Sequence, residues 1–94
     1  MNAGRETESG RIRLDKWLWV ARFARSRSLA QTMCDKGHIR LNGQRVTKPG
    51  REIRPGDILT LPRGREILMV RVLGNAARRG AAPEATALYE ILED

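Results

Sequence analysis

The chain has 94 residues, with 18 Lys plus Arg against 11 Asp plus Glu and a formal charge of +7. That length suits one small domain and argues against an enzyme with a separate cofactor module or a deep enclosed site. The basic balance points to an anionic partner, either nucleic acid or an anionic membrane surface. Residues 1–10 are polar, lack apolar periodicity and read as a disordered arm. The stretch from Leu14 to Ala24 predicts a helix, because Leu14, Trp17, Leu18 and Ala21 follow the spacing of one apolar face. Asp15 falls in its first turn, where a carboxylate suits the helix dipole, and Arg22 and Arg25 fall at its far end. Trp19 lies off that stripe and reads as a flank-packing residue.

Ser26 is a good N-cap for a second helix from Arg27 to about Lys36, with Leu29, Ala30, Met33 and Cys34 on its apolar face. Gly37 follows where a left-handed C-cap residue is expected. The period then changes. Ile39 and Leu41 alternate with His38 and Arg40, the pattern of a half-buried strand. Asn42-Gly43 signals a tight hairpin turn, with Gln44-Arg45-Val46-Thr47 as the return strand. Pro49-Gly50 and Pro55-Gly56 are two more turns, with a short strand at Ile53 between them. Residues 57–61 and 66–73 read as further strands, and residues 74–83 as a flexible loop. Pro83 opens a final helix over residues 84–94, where Ala85, Leu88, Tyr89 and Leu92 recur at helical spacing. The expected fold class is α+β: two N-terminal helices packed on a small, mainly antiparallel sheet, with a short C-terminal helix. The main domain spans residues 11–73.

Several chemistries lack their residues. Cys34 is the single cysteine and His38 the single histidine, so no intrachain disulfide or four-ligand zinc site is expected. Cys34 reads as a small core hydrophobe rather than a nucleophile. No run approaches the roughly 20 apolar residues of a membrane span, and the start lacks the apolar segment of a secretory signal. The expectation is a cytoplasmic protein without a membrane partner. Neither a phosphate-cradling glycine loop nor a nucleophile elbow is present. Catalytic residues, metal and cofactor are therefore all expected to be none.

The charge distribution is uneven. Residues 1–56 carry 13 basic and five acidic side chains, whereas residues 57–94 carry five and six. Arg outnumbers Lys by 15 to three, which suits bidentate phosphate contacts, although a GC-rich genome produces the same bias. Arg22, Arg25 and Arg27 cluster at the junction of the two helices, beside the positive end of the second helix dipole. Ser26 can cap that helix or bond a phosphate, capping being the commoner use. Arg13 and Lys16 share a helix face, and Gln31 lies one turn beyond Arg27. Arg40 and Arg45 flank the Asn-Gly turn, Lys48 follows, and all point away from the strand core. Each has a blander reading. Arg13 is equally suited to pairing with a nearby carboxylate, and Lys36 to serving the helix dipole. Arg5, Arg63 and Arg65 read as solvated. His38 reads as an exposed strand residue and Tyr89 as a docking residue.

Three blocks carry a resemblance: Arg13-Leu14-Asp15-Lys16-Trp17-Leu18, Ser26-Arg27-Ser28-Leu29-Ala30 and Gly37-His38-Ile39-Arg40-Leu41-Asn42-Gly43. In order and spacing they resemble the S-four RNA-binding domain, named after ribosomal protein S four, over residues 12 to about 61. With Trp19, Ala21-Arg22-Phe23, Gln44-Arg45 and Ala87-Leu88-Tyr89-Glu90, the chain is also similar to the family of ribosome-associated heat-shock proteins of fifteen kilodaltons. The resemblance implies a non-catalytic stress protein that binds ribosomal RNA of large subunits still carrying nascent-chain tRNA. Better-known members of that family continue past the Tyr-Glu motif into a longer helix and a basic tail. This sequence stops at Asp94 with three acids in its last five residues, so ribosome contacts of such a tail are not expected. A monomer is expected, with DNA bound at most non-specifically. Two other readings stay open: a DNA-binding helix-turn-helix-like regulator, and an RNA-targeting domain serving a separate RNA-modifying enzyme.

Overall fold

A computed structural model describes residues 12–92. The arm expected over residues 1–10 and the last two residues of the expected C-terminal helix lie outside the described residues. The elements run β1 (Ile12–Arg13), α1 (Leu14–Val20), α2 (Arg27–Asp35), β2 (Ile39–Leu41), β3 (Gln44–Val46), β4 (Glu52–Ile53), β5 (Ile58–Arg63), β6 (Glu66–Val72), α3 (Ala82–Thr86) and β7 (Tyr89–Ile91). β1 pairs with β4, and the other strands form one sheet in the order β3-β2-β5-β6-β7. Each pairing is antiparallel. This is the α+β fold that the sequence pattern predicts.

Alternation places Ile39, Leu41, Val46, Leu59, Leu61, Val70 and Val72 on the inner sheet face, all buried. Leu14, Trp17, Leu18 and Val20 of α1 and Ala30 and Cys34 of α2 close over them. Trp17 sits at the centre, and its indole N–H donates to the Gly74 carbonyl at 2.9 Å. Phe23 and Tyr89 lie against it, with ring centroids 5.8 and 6.4 Å away.

Both helices stop by the same device. In α2, Ser26 Oγ accepts from the Leu29 N–H at 3.1 Å at the start. At its end Gly37 takes φ +74°, and the His38 N–H donates to Met33 and the Gly37 N–H to Cys34. These are the paired hydrogen bonds of a Schellman cap. α1 ends at Val20, short of the predicted Ala24, because the same pair of bonds forms there: Phe23 N–H to Leu18 and Arg22 N–H to Trp19. Arg22 takes the left-handed position, at φ 68°, where glycine is usual. That turn swings Phe23 back over Trp17.

The C-terminal helix needs correcting. Only Ala82–Thr86 is helical, and Tyr89–Ile91 is a strand on the edge of β6. Tyr89-Glu90-Ile91 has good strand propensity, and β6 offers it an unpaired row of backbone groups. The spacing of Leu88 and Tyr89 suits either period. The segment expected to be a flexible loop is held to α1 and the turn that follows it at three points. Gly74 receives the Trp17 indole, the Trp19 carbonyl accepts from Arg79 Nε at 3.0 Å, and the Gly80 carbonyl accepts from Arg22 Nη1 at 3.0 Å. No helix among the described residues is long and apolar enough to cross a membrane.

Candidate nucleic-acid interface

The basic surface is organised by a buried carboxylate. Asp15 has no exposed side-chain area. Arg13 grips it with two nitrogens, Nε to Oδ1 at 3.1 Å and Nη2 to Oδ2 at 3.0 Å. Gln31 Nε2 donates to Oδ2 at 3.1 Å, across 16 residues of sequence. The Lys16 backbone N–H donates to Oδ1 at 2.7 Å, and Arg27 Nη2 lies 3.5 Å from the same oxygen. Burial alone would raise the Asp15 pKa. The Arg13 and Gln31 hydrogen bonds, the Arg27 charge and the Lys16 N–H outweigh it, holding the carboxyl below the usual carboxylate range. Arg13 is raised in turn by its hydrogen bond to Asp15 and by the carboxylate charge.

One acid therefore fixes three long side chains without neutralising the surface. The Arg13 and Arg27 side chains remain 53% and 42% exposed. Arg27 Nε is buried and makes no hydrogen bond among the described residues. The loop after β3 is sewn alongside: the Leu14 N–H donates to the Arg51 carbonyl and the Asp15 N–H to the Pro49 carbonyl. The Arg13 guanidinium lies over Gly50, 3.5 Å from where a β-carbon would stand. Exposed Lys48 follows β3 in that loop.

The hairpin carries a second basic group. Asn42 and Gly43 both have positive φ, as a type I′ turn requires. Asn42 also bonds outward, accepting from the Ile58 N–H at 2.9 Å and donating to Asp57 at 3.2 Å, so the turn is tied to β5. Arg40 and Arg45 are directly opposite each other on the outer face. Arg45 folds its aliphatic stem over Gly37 at the end of α2.

Of the residues singled out from sequence, Arg13, Arg27 and Gln31 meet at Asp15, and Lys16 joins them through its backbone. Arg40 and Arg45 form the separate hairpin pair. Ser26 spends its side-chain oxygen on the cap. Arg22 is exposed, but it turns toward the Gly80 carbonyl rather than toward Arg27. Arg25 is exposed at the mouth of a groove beside α2. Sequence reasoning gave Asp15 only a dipole role. The missed signal is its position between Arg13 and Leu14 on one side and Lys16 and Trp17 on the other, which carries it into the core with the apolar stripe. Burial pushes the Cys34 thiol up to about 11, helped by the charges of Asp15 and Asp35, which accords with a packing role. Among the described residues no cluster of His, Cys, Asp and Glu is placed to hold a metal.

Two helices, an Asn-Gly hairpin and a basic face anchored on one acid define an RNA-binding domain of the S4 class. Residues 12–59 match the S4 domain family, and the chain belongs to it. Among its relatives is the heat shock protein 15 homolog of Aeromonas salmonicida, 44% identical over 82 residues, covering 87% of this chain and 61% of that protein. Another is the RQC P-site tRNA stabilizing factor of Bacillus subtilis, 35% identical over 85 residues, covering 88% of this chain and 94% of that protein. The solved trimeric structure of Vibrio cholerae heat shock protein 15 superposes with a TM-score of 0.82 at 40% identity, covering 87% of this chain and 82% of that one. The chain spans 61 to 64% of the length of the heat-shock relatives named for Aeromonas and Escherichia coli.

Proposed function

We propose that this chain is a non-catalytic RNA-binding protein of the cytoplasm that docks on large ribosomal subunits still carrying nascent-chain tRNA. The observation that carries this reading is the Asp15-anchored set of Arg13, Arg27 and Gln31, held beside Lys48 within the S4-matching residues. A rigid array of guanidinium and amide donors suits phosphates and 2′-hydroxyls of folded RNA, which is read by shape more than by sequence. The names of the relatives, heat shock protein 15 and RQC P-site tRNA stabilizing factor, support a ribosomal target with tRNA close by. In this reading Arg13, Lys16, Arg25, Arg27, Gln31, Arg40, Arg45 and Lys48 face RNA. Arg22 and Ser26 contribute mainly by shaping the junction between α1 and α2.

The test is co-sedimentation with free large subunits, free small subunits and intact ribosomes, with and without nascent-chain tRNA. Retention is expected on large subunits and strongest when the tRNA is present. Equal retention on both subunits, or displacement by duplex DNA as readily as by structured ribosomal RNA at matched salt, would reject it.

A further inference from the structure

A groove of about 400 Å³ opens along the flank of α2. Phe23, Leu29 and Met33 form its apolar floor, and Arg25, Lys36 and His38 stand around it. Leu29 is 49% exposed there, a large apolar side chain left to water. None of the groove-lining residues carries a carboxylate. Helical geometry puts Leu29, Met33 and Lys36 on one flank of α2, and Arg27 and Gln31 on the opposite flank, toward Asp15. A helix is roughly 10 Å across, so a polynucleotide crossing α2 meets both flanks within a few nucleotides.

We propose that this groove receives a single unstacked nucleobase of the bound RNA, with the adjoining phosphates on Arg25 and Lys36. The inference rests on the RNA-binding reading above and names the chemistry of one further subsite. A base presents a flat apolar face to Phe23, Leu29 and Met33, and every base has such a face, so the subsite is indifferent to sequence. Its phosphates are anions, which matches a rim with cations and no acids. The groove volume exceeds that of one base, which leaves its polar edge to water or to Thr32 at the wall.

The experiment uses the full chain and three synthetic RNA hairpins of one stem: fully paired, with one bulged adenosine, and with an abasic residue at the bulge. Each is titrated across a salt series. The bulged hairpin should bind at least about fivefold more tightly than the abasic one, the scale of one base–aromatic stack. Leu29→Asn should remove that preference while leaving affinity for the paired stem and its salt slope unchanged. Thr32→Phe, which fills the groove from an exposed position, should do the same. Equal binding of bulged and abasic hairpins overturns the proposal. So does a preference that survives both substitutions in variants with parental circular dichroism. Leu29-dependent binding of an acidic amphipathic peptide that the bulged hairpin fails to displace also overturns it. Failure of the underlying RNA-binding reading looks different: the parent would then bind none of the hairpins with a salt-dependent affinity.

Discussion

Asp15 does the most with the fewest atoms. Its carboxylate has no exposed side-chain area, yet its partners are about half in water. That asymmetry sets the cost of removing it. A buried charge left without its partner usually costs about 3–5 kcal/mol, but here the stranded charges are re-solvated arginines. Asp15→Asn should therefore lower unfolding free energy by about 1–3 kcal/mol, the cost of a lost buried charge-assisted hydrogen-bond set. The pH dependence follows from the depressed pKa. The stabilisation is complete above the unfolded Asp value, near about 4, and is lost as pH falls through the lower folded value. Urea midpoints measured through that acid range should fall more steeply for the parent than for Asp15→Asn. Parallel curves would mean the carboxylate is not held as described. Cys34 offers a separate check on the same region. With its thiol pushed up to about 11 by burial, it should resist a thiol reagent in native buffer and react in denaturant.

Among the elements, the two helix ends and the hairpin turn use the same left-handed conformation with different residues. Gly37 and Gly43 both have positive φ, at 74° and 88°. A β-carbon at Gly43 would meet nothing within 4 Å, whereas one at Gly37 would come within 2.9 Å of Arg45 Cδ. Alanine at either site should cost about 1–2 kcal/mol through backbone conformation alone. Only Gly37→Ala should also weaken RNA binding, because Arg45 has to move aside. Urea melts and RNA titrations of the pair separate the two effects, and matched RNA affinities would contradict the placement of Arg45. These caps and turns were legible because their chemistry is local: Ser26, Gly37 and Asn42-Gly43 declare themselves within four residues. Arg22 was not legible as a helix stop, since nothing in an arginine announces a left-handed backbone. β7 was not legible either, because its partner β6 ends 17 residues earlier, at Val72. The Asp15 set was half legible. The sequence suits Arg13 to a carboxylate partner, but the Gln31 contact exists only once α1 and α2 pack.

Across the molecule, charge separates by task. Three of the later acids are engaged by nearby groups: Asp57 by Asn42 and the Arg54 N–H, Glu84 by the Ala81 N–H, and Glu90 by Arg71 at 2.6 Å. Among the described residues no ion pair reaches Arg40 or Arg45 at the hairpin, where the two face each other across the strands. Like charges directly opposite destabilise a strand pair by roughly 0.2–1 kcal/mol. Under the function proposed above, RNA phosphates would remove that repulsion on binding, and the pair would trade stability of the free protein for affinity. This gives opposite expectations for one variant. If about five phosphates are neutralised, affinity should fall with a log–log salt slope of roughly −3.5 to −4.5. Replacing Arg40 and Arg45 together with Gln keeps the stem over Gly37 and removes two cations. The slope should then flatten by roughly 1.4 to 1.8, at two phosphate contacts. Thermal stability should hold or rise, most clearly at low salt where the repulsion is least screened. RNA titrations at a series of salt concentrations, run beside thermal melts of the same samples, read both quantities. A stability loss with an unchanged slope would make the two arginines structural and take the hairpin out of the RNA-binding surface.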